Sequence, residues 1–104
     1  MITEIESIIK SFSHGEMIIL VDDEERENEG DLVVSATHLT PEHINFMITY
    51  GKGLVCAPIS SKIAKRLKLP LMQGVNNELQ TPYTASVDLK DSEVTTGISA
   101  KDRY

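Results

Sequence analysis

Between residues 22 and 31 the chain reads DDEERENEGD, in which seven of ten positions are Asp or Glu and one is Arg. Carboxylates at this density can hold a hard cation, exchange protons near neutral pH by raising one another's proton affinity, or stay solvated as a self-repelling run. An EF-hand loop is excluded: starting it at Glu25 sets Gly30 correctly at the sixth position, but Ala36 occupies the twelfth, where a glutamate is required. Magnesium asks for less, because one or two carboxylates suffice when water and substrate oxygens complete the shell. Glu27, Glu29 and Asp31 alternate, so in an extended segment they line one wall, with Arg26 on the other side. Arg26 either neutralises the acids or holds a substrate oxygen or phosphate as a fork. The chemistry that follows is divalent-cation binding and proton transfer on an oxygen-rich substrate, with a solvated loop as the alternative.

The elements that must position these residues follow from periodicity. Ile2, Ile5, Ile8, Ile9 and Phe12 recur at helical spacing, Thr3 and Glu6 have capping-box spacing, and Gly15 is placed to end that helix. The continuous apolar run 17–21, MIILV, predicts a buried strand, and 32–36, LVVSA, predicts its successor, so the acidic stretch connects two strands. Thr40-Pro41 starts a second helix with Ile44, Met47 and Ile48 on its apolar face and Gly51 as its stop. LVCAPI, 54–59, reads as a strand; Ser60 or Ser61 caps a short basic helix through Leu67, closed by Pro70. Residues 73–82 read as loop and 83–89, YTASVDL, as a half-exposed strand. Ser99-Ala100-Lys101-Asp102 starts a further helix, yet the sequence reaches Tyr104 after barely one turn, which suggests the first part of a longer domain.

These elements define an α+β fold, a mixed β-sheet flanked by helices, in a single domain spanning 1–104. At 40% hydrophobic and 25% charged, the chain has the balance of one small globular core. A net charge of −6 with scattered basic residues argues against a nucleic-acid or anionic-membrane surface. No apolar run approaches a membrane span, the N-terminus lacks a signal-peptide pattern, and the one cysteine, Cys56, has no internal disulfide partner; a cytoplasmic setting is expected.

Other reactive side chains have plain structural readings. Cys56 in an apolar strand reads as a small core residue, Thr95 and Thr96 as strand-end residues, and Asp22 and Asp23 as solvated charge or turn formers. His14 reads as a helix C-terminal residue, and His38 and His43 as surface residues flanking a cap.

The wording of the acidic stretch adds what spacing does not. Asp22-Asp23-Glu24-Glu25-Arg26-Glu27-Asn28-Glu29-Gly30-Asp31-Leu32 resembles the signature of the 3,4-dihydroxy-2-butanone 4-phosphate synthase family, and three further stretches agree in order. They are Thr40-Pro41-Glu42 with Ile44-Asn45-Phe46-Met47, then Gly53-Leu54-Val55-Cys56, then Val94-Thr95-Thr96-Gly97-Ile98-Ser99-Ala100 with Asp102-Arg103. The resemblance implies an α/β sandwich and a homodimeric lyase of riboflavin biosynthesis. Such an enzyme converts ribulose 5-phosphate into 3,4-dihydroxy-2-butanone 4-phosphate and formate with Mg²⁺ or Mn²⁺. It implies that Arg26 and Glu27 contact the sugar phosphate and that Glu27 is also a metal ligand. Glu29 then assists proton transfer, Asp31 binds substrate hydroxyls, Thr96 (with Thr95 second to it) lies by the substrate, and Cys56 lines the pocket. The family's other metal ligand is a His in an Arg-x-Gly-His-Thr-Glu type motif, whereas the last histidine here is His43. The expectation is that residues 1–104 by themselves do not turn over; a stand-alone acidic, metal-binding module without catalysis is the alternative.

Overall fold

Ile5, Ile8, Ile9 and Phe12 fall on one stripe of helix α1, Ile5–Ser13, in a computed structural model that describes residues 4–73 and 81–104. Thr3 lies outside the described residues; Glu4 stands at the N-cap without a side-chain bond, and Gly15, at φ +87°, follows the helix end as expected. Two compact units divide the chain, Met1–Val55 with Asp91–Tyr104, and Cys56–Lys90.

The first unit holds the acidic stretch. Strands β1, Ile18–Val21, and β2, Gly30–Val33, pair antiparallel with Ile18 opposite Val33 and Val21 opposite Gly30. The hairpin is as expected, but β2 starts earlier and ends sooner than 32–36, because pairing with β1 recruits Gly30 and Asp31, which propensity alone disfavours in strands. Nor is β1 buried: Ile19 is 67% exposed and Val21 63%. The ladder has two strands, touched by α1 on β1 and by residues 47–51 on β2, and no second sheet among the described residues covers it.

Helix α2, Pro41–Phe46, begins as its sequence signature requires, the Thr40 hydroxyl accepting the His43 amide at 3.3 Å. It runs into a π-helical turn, Met47–Gly51, and the stop is Lys52 in the left-handed region at φ +58°, not Gly51. Gly51 serves a different purpose, since a Cβ there would lie 3.2 Å from Leu32 Cδ1; the missing side chain lets the π turn approach β2. Ile44 on α2 is the one buried apolar residue among those described. His43 corrects its surface assignment, for it is half-buried, with a buried Nδ1 that has no hydrogen-bond partner among the described residues, beside an apolar hollow lined by Met17, Ile19, Leu32 and Phe46.

In the second unit, Ser60 Oγ accepts the Ile63 amide at 3.2 Å and caps α3, Ser61–Arg66. The expected strands 54–59 and 83–89 do not form: 54–59 has no ladder, and Leu71 and Thr84 make only an isolated bridge. An extended segment becomes a strand only where a neighbour continues its backbone bonds: 54–59 has none among the described residues, and 83–85 is held to 70–72 by two, the Met72 amide to the Tyr83 carbonyl at 2.8 Å and the Ala85 amide to the Pro70 carbonyl at 3.0 Å. Of the expected loop 73–82, residues 74–80 lie outside those described. Helix α4, Ala100–Arg103, returns to the first unit and packs on α2, which supplies the support so short a helix lacks alone. No helix among the described residues is long and apolar enough to cross a membrane.

Candidate active site

Residues 22–29 close the β1–β2 hairpin, and they do so around one carboxylate. Asp22 Oδ1 accepts the Glu29 amide at 2.9 Å, while Oδ2 accepts the Glu27 amide at 3.0 Å and Arg26 Nη1 at 2.8 Å. Asp22's own amide donates to the Glu29 carbonyl at 3.3 Å, one step beyond the ladder. Asp23 shapes the first turn: its Oδ1 accepts the Glu25 amide at 2.8 Å and its carbonyl accepts the Arg26 and Asn28 amides. Asn28 then takes a left-handed conformation at φ +50°, which a short polar residue tolerates. The loop is folded on itself, which a merely solvated charge run would not be.

This geometry changes the wall expected of Glu27, Glu29 and Asp31. Strand alternation does not extend across 27–29, because turn and left-handed backbone intervene; extended pairing begins only at Gly30. Arg26, expected on the opposite side, forks between acids, with Nη1 on Asp22 and Nη2 3.1 Å from Glu27 Oε1. Glu27 is half-buried beside it, the Glu29 and Asp31 residues are exposed, and Asp31 lies in β2 opposite Leu20.

The electrostatics follow from these bonds. The Glu29 amide above all, joined by the Glu27 amide and Arg26, holds the Asp22 carboxyl below the usual aspartate value, against a desolvation that is second in size to the Glu29 bond. Arg26 is held more firmly protonated, first by its bond to Asp22 and then by the field of Glu27, with Asp31 contributing at longer range. Among the described residues no three His, Cys, Asp or Glu side chains converge as a ready-made metal site.

A second loop in the same unit repeats the device. Asp102 Oδ1 accepts the Thr95 amide at 3.1 Å, and Oδ2 accepts the Thr95 hydroxyl at 2.8 Å and the Gly97 amide at 3.2 Å. Those bonds, the Thr95 hydroxyl first, place the Asp102 carboxyl below the usual range. Gly97 needs its freedom here, at φ +75°. Ser99 Oγ accepts the Asp102 amide at 3.0 Å, the helix start that the sequence announces. Thr96 is exposed and its hydroxyl has no hydrogen bond among the described residues.

Of the residues expected at the site, Arg26 and Glu27 are brought into contact, Glu29 is tied in through its amide, and Thr95 is bound to Asp102. Cys56 belongs to the second unit and is exposed, which contradicts its reading as a core residue. Asp22 and Asp102 were not singled out by sequence reasoning as organisers. An aspartate before a turn-forming run is a signal for backbone capture, but it does not say which of several neighbouring acids makes the capture.

Comparison with known proteins returns one family. Residues 6–104 match the family described as 3,4-dihydroxy-2-butanone 4-phosphate synthase. The chain is 55% identical over 96 residues to the riboflavin biosynthesis protein RibBA of Cytophaga hutchinsonii, covering 91% of this chain and 24% of that protein. It is 48% identical over 99 residues to the 3,4-dihydroxy-2-butanone 4-phosphate synthase of Photobacterium phosphoreum, covering 94% and 27% respectively. A crystal structure of a 3,4-dihydroxy-2-butanone 4-phosphate synthase in complex with two magnesium ions superposes with a TM-score of 0.91 at 40% identity, over 98% of this chain and 48% of that one. The chain thus spans about a quarter of the length of these curated relatives.

Proposed function

The chain belongs to the 3,4-dihydroxy-2-butanone 4-phosphate synthase family, and from that premise we propose that it carries one part of a lyase site. The reaction is conversion of D-ribulose 5-phosphate to L-3,4-dihydroxy-2-butanone 4-phosphate and formate, in a homodimer. The observation that supports this reading best is the Arg26 fork held between Asp22 and Glu27, a preorganised cation among acids at a hairpin tip.

The donors suit a divalent cation. They are hard carboxylate oxygens, which Mg²⁺ and Mn²⁺ prefer, and a site sharing its shell with water and substrate does not need three protein ligands. Glu27 would hold the ion, which when bound polarises vicinal substrate oxygens and eases proton loss beside a carbonyl. The remaining work falls to side chains. Arg26 has five N–H donors and spends one Nη1 and one Nη2 contact on Asp22 and Glu27, so others stay available for substrate or phosphate oxygens. Glu29, whose amide is fixed by Asp22, carries protons between substrate carbons and water. Asp31, at the start of β2, accepts bonds from substrate hydroxyls, and Thr96 adds a hydroxyl contact.

Incubating the native gene product with ribulose 5-phosphate and Mg²⁺ is expected to yield formate and a four-carbon phosphate in equal amounts, with loss of both on chelation. No formate would overturn the reading. The polypeptide 1–104 by itself is expected to give none above background. The alternative, an acidic module that binds metal without turnover, draws on the exposed carboxylates crowded into residues 22–31. It predicts Mg²⁺ binding by calorimetry with no formate from the native gene product.

A further inference from the structure

Thr95 and Thr96 are adjacent and chemically identical, and the resemblance that sets Thr96 ahead of Thr95 at the substrate gives no physical reason for the order. The structure separates them. The Thr95 hydroxyl donates to Asp102 Oδ2 at 2.8 Å and its amide to Oδ1 at 3.1 Å, so both polar hydrogens of that residue are taken by one carboxylate. The next-but-one amide, Gly97, goes to the same Oδ2 at 3.2 Å. Thr96 is left between two fastened residues with a hydroxyl uncommitted among the described residues, and the left-handed Gly97 lies in a bend directly after it.

Helix capping does not account for the Asp102 carboxylate. In a capping box the acid at the third helical position returns to the N-cap amide. Here the N-cap bond runs from the Asp102 amide to Ser99 Oγ at 3.0 Å, and the carboxylate turns outward to residues 95 and 97. Arg103 Nε adds a bond to the Ile98 carbonyl at 2.9 Å, and α4 rests on α2, which carries the buried Ile44. The carboxylate therefore transmits the position of a supported helix to a three-residue turn.

We propose that Asp102 is a positioning residue of the lyase site: it commits Thr95 to holding the 95–97 turn and thereby makes Thr96 the threonine that contacts the sugar phosphate. The inference rests on the lyase reading above and deepens it.

The test is a double-mutant cycle in the native gene product, following formate release from ribulose 5-phosphate with Mg²⁺. Thr96→Ala is expected to raise KM about tenfold with a smaller change in kcat, and Asp102→Asn to do nearly the same. In the Thr96→Ala background Asp102→Asn should then cost less than about twofold more, because its effect passes through Thr96. Thr95→Val, which deletes only the hydroxyl bond, should give a smaller rise in KM that also vanishes in that background. Faster exchange of the Thr95 and Gly97 amides in Asp102→Asn completes the pattern. Losses that multiply in the double variant overturn the proposal, as does a Thr96→Ala protein with wild-type KM or a Thr95→Val protein impaired as much as Thr96→Ala. If Asp102→Asn loses its far-UV circular dichroism, Thr95→Val with and without Thr96→Ala decides by the same criterion. Absence of formate from the wild-type protein would instead overturn the lyase reading.

Discussion

The loop 22–29 and the turn 95–97 are built by the same means and offer different chemistry. Each is gathered by one aspartate that accepts two loop amides plus one side-chain donor, a guanidinium in the first case and a hydroxyl in the second. The first closes a β-ladder and presents Arg26, Glu27 and Glu29; the second precedes a short helix and presents one neutral hydroxyl. The difference teaches that acid density marks where charge is displayed, whereas the acid that shapes the backbone is the one with several converging N–H donors. Asp22 sits inside the dense run and Asp102 outside it, and both serve that second purpose.

If the loops divide the work in this way, substitutions of what they display should differ sharply in size. Glu27→Gln removes a charge that would ligate the cation, and formate release should fall at least about 100-fold with the fold intact by circular dichroism. The Thr96→Ala loss stays near tenfold. Comparable losses for the two would erase the distinction.

Acid pH should loosen both loops together. Asp22 and Asp102 have folded-state pKa values below those of the unfolded chain, so the folded loops bind fewer protons. Their contribution to stability is complete above the ordinary aspartate value, about 3.9, and is lost as pH falls through the lower folded values. Protection of the Glu29 and Gly97 amides, as exchange relative to the intrinsic rate at each pH, should therefore fall in that acid window and be flat from pH 5 to 7. Loosening of only one loop would show that the two aspartates are not equivalent devices.

The smallest effect is a control on the shared support. Thr40→Ala deletes the N-cap bond of α2, on which α4 rests, and should cost about 1 kcal/mol of stability, read as a lowered Tm, without altering kcat.

What was legible in the sequence was local. Thr40, Ser60 and Ser99 cap helices where their spacing says they should, because a cap is settled within four residues. The hairpin was legible from two apolar runs around a turn-rich stretch. Strands at 54–59 and 83–89 were not, since a strand depends on a neighbour that no local pattern guarantees. The exposure of Ile19 and Val21 was hidden for the same reason, an apolar run being read as buried without knowing what would cover it. At the site, the expected separation of Arg26 and Glu27 onto two sides assumed extended backbone; the turn and the left-handed Asn28 break that assumption and the two meet at 3.1 Å.

The most direct measurement of the claim that one acid of the seven organises the loop is formate release by Asp22→Asn and Asp23→Asn forms of the native gene product, assayed side by side with Mg²⁺. Asp22 holds Glu27, Glu29 and Arg26, whereas the Asp23 side chain holds only the Glu25 amide. Asp22→Asn should lower activity about 10- to 100-fold, the usual cost of losing a group that orients ligands, and Asp23→Asn should stay within about threefold of wild type. Equal losses, or an unimpaired Asp22→Asn protein, would contradict the account.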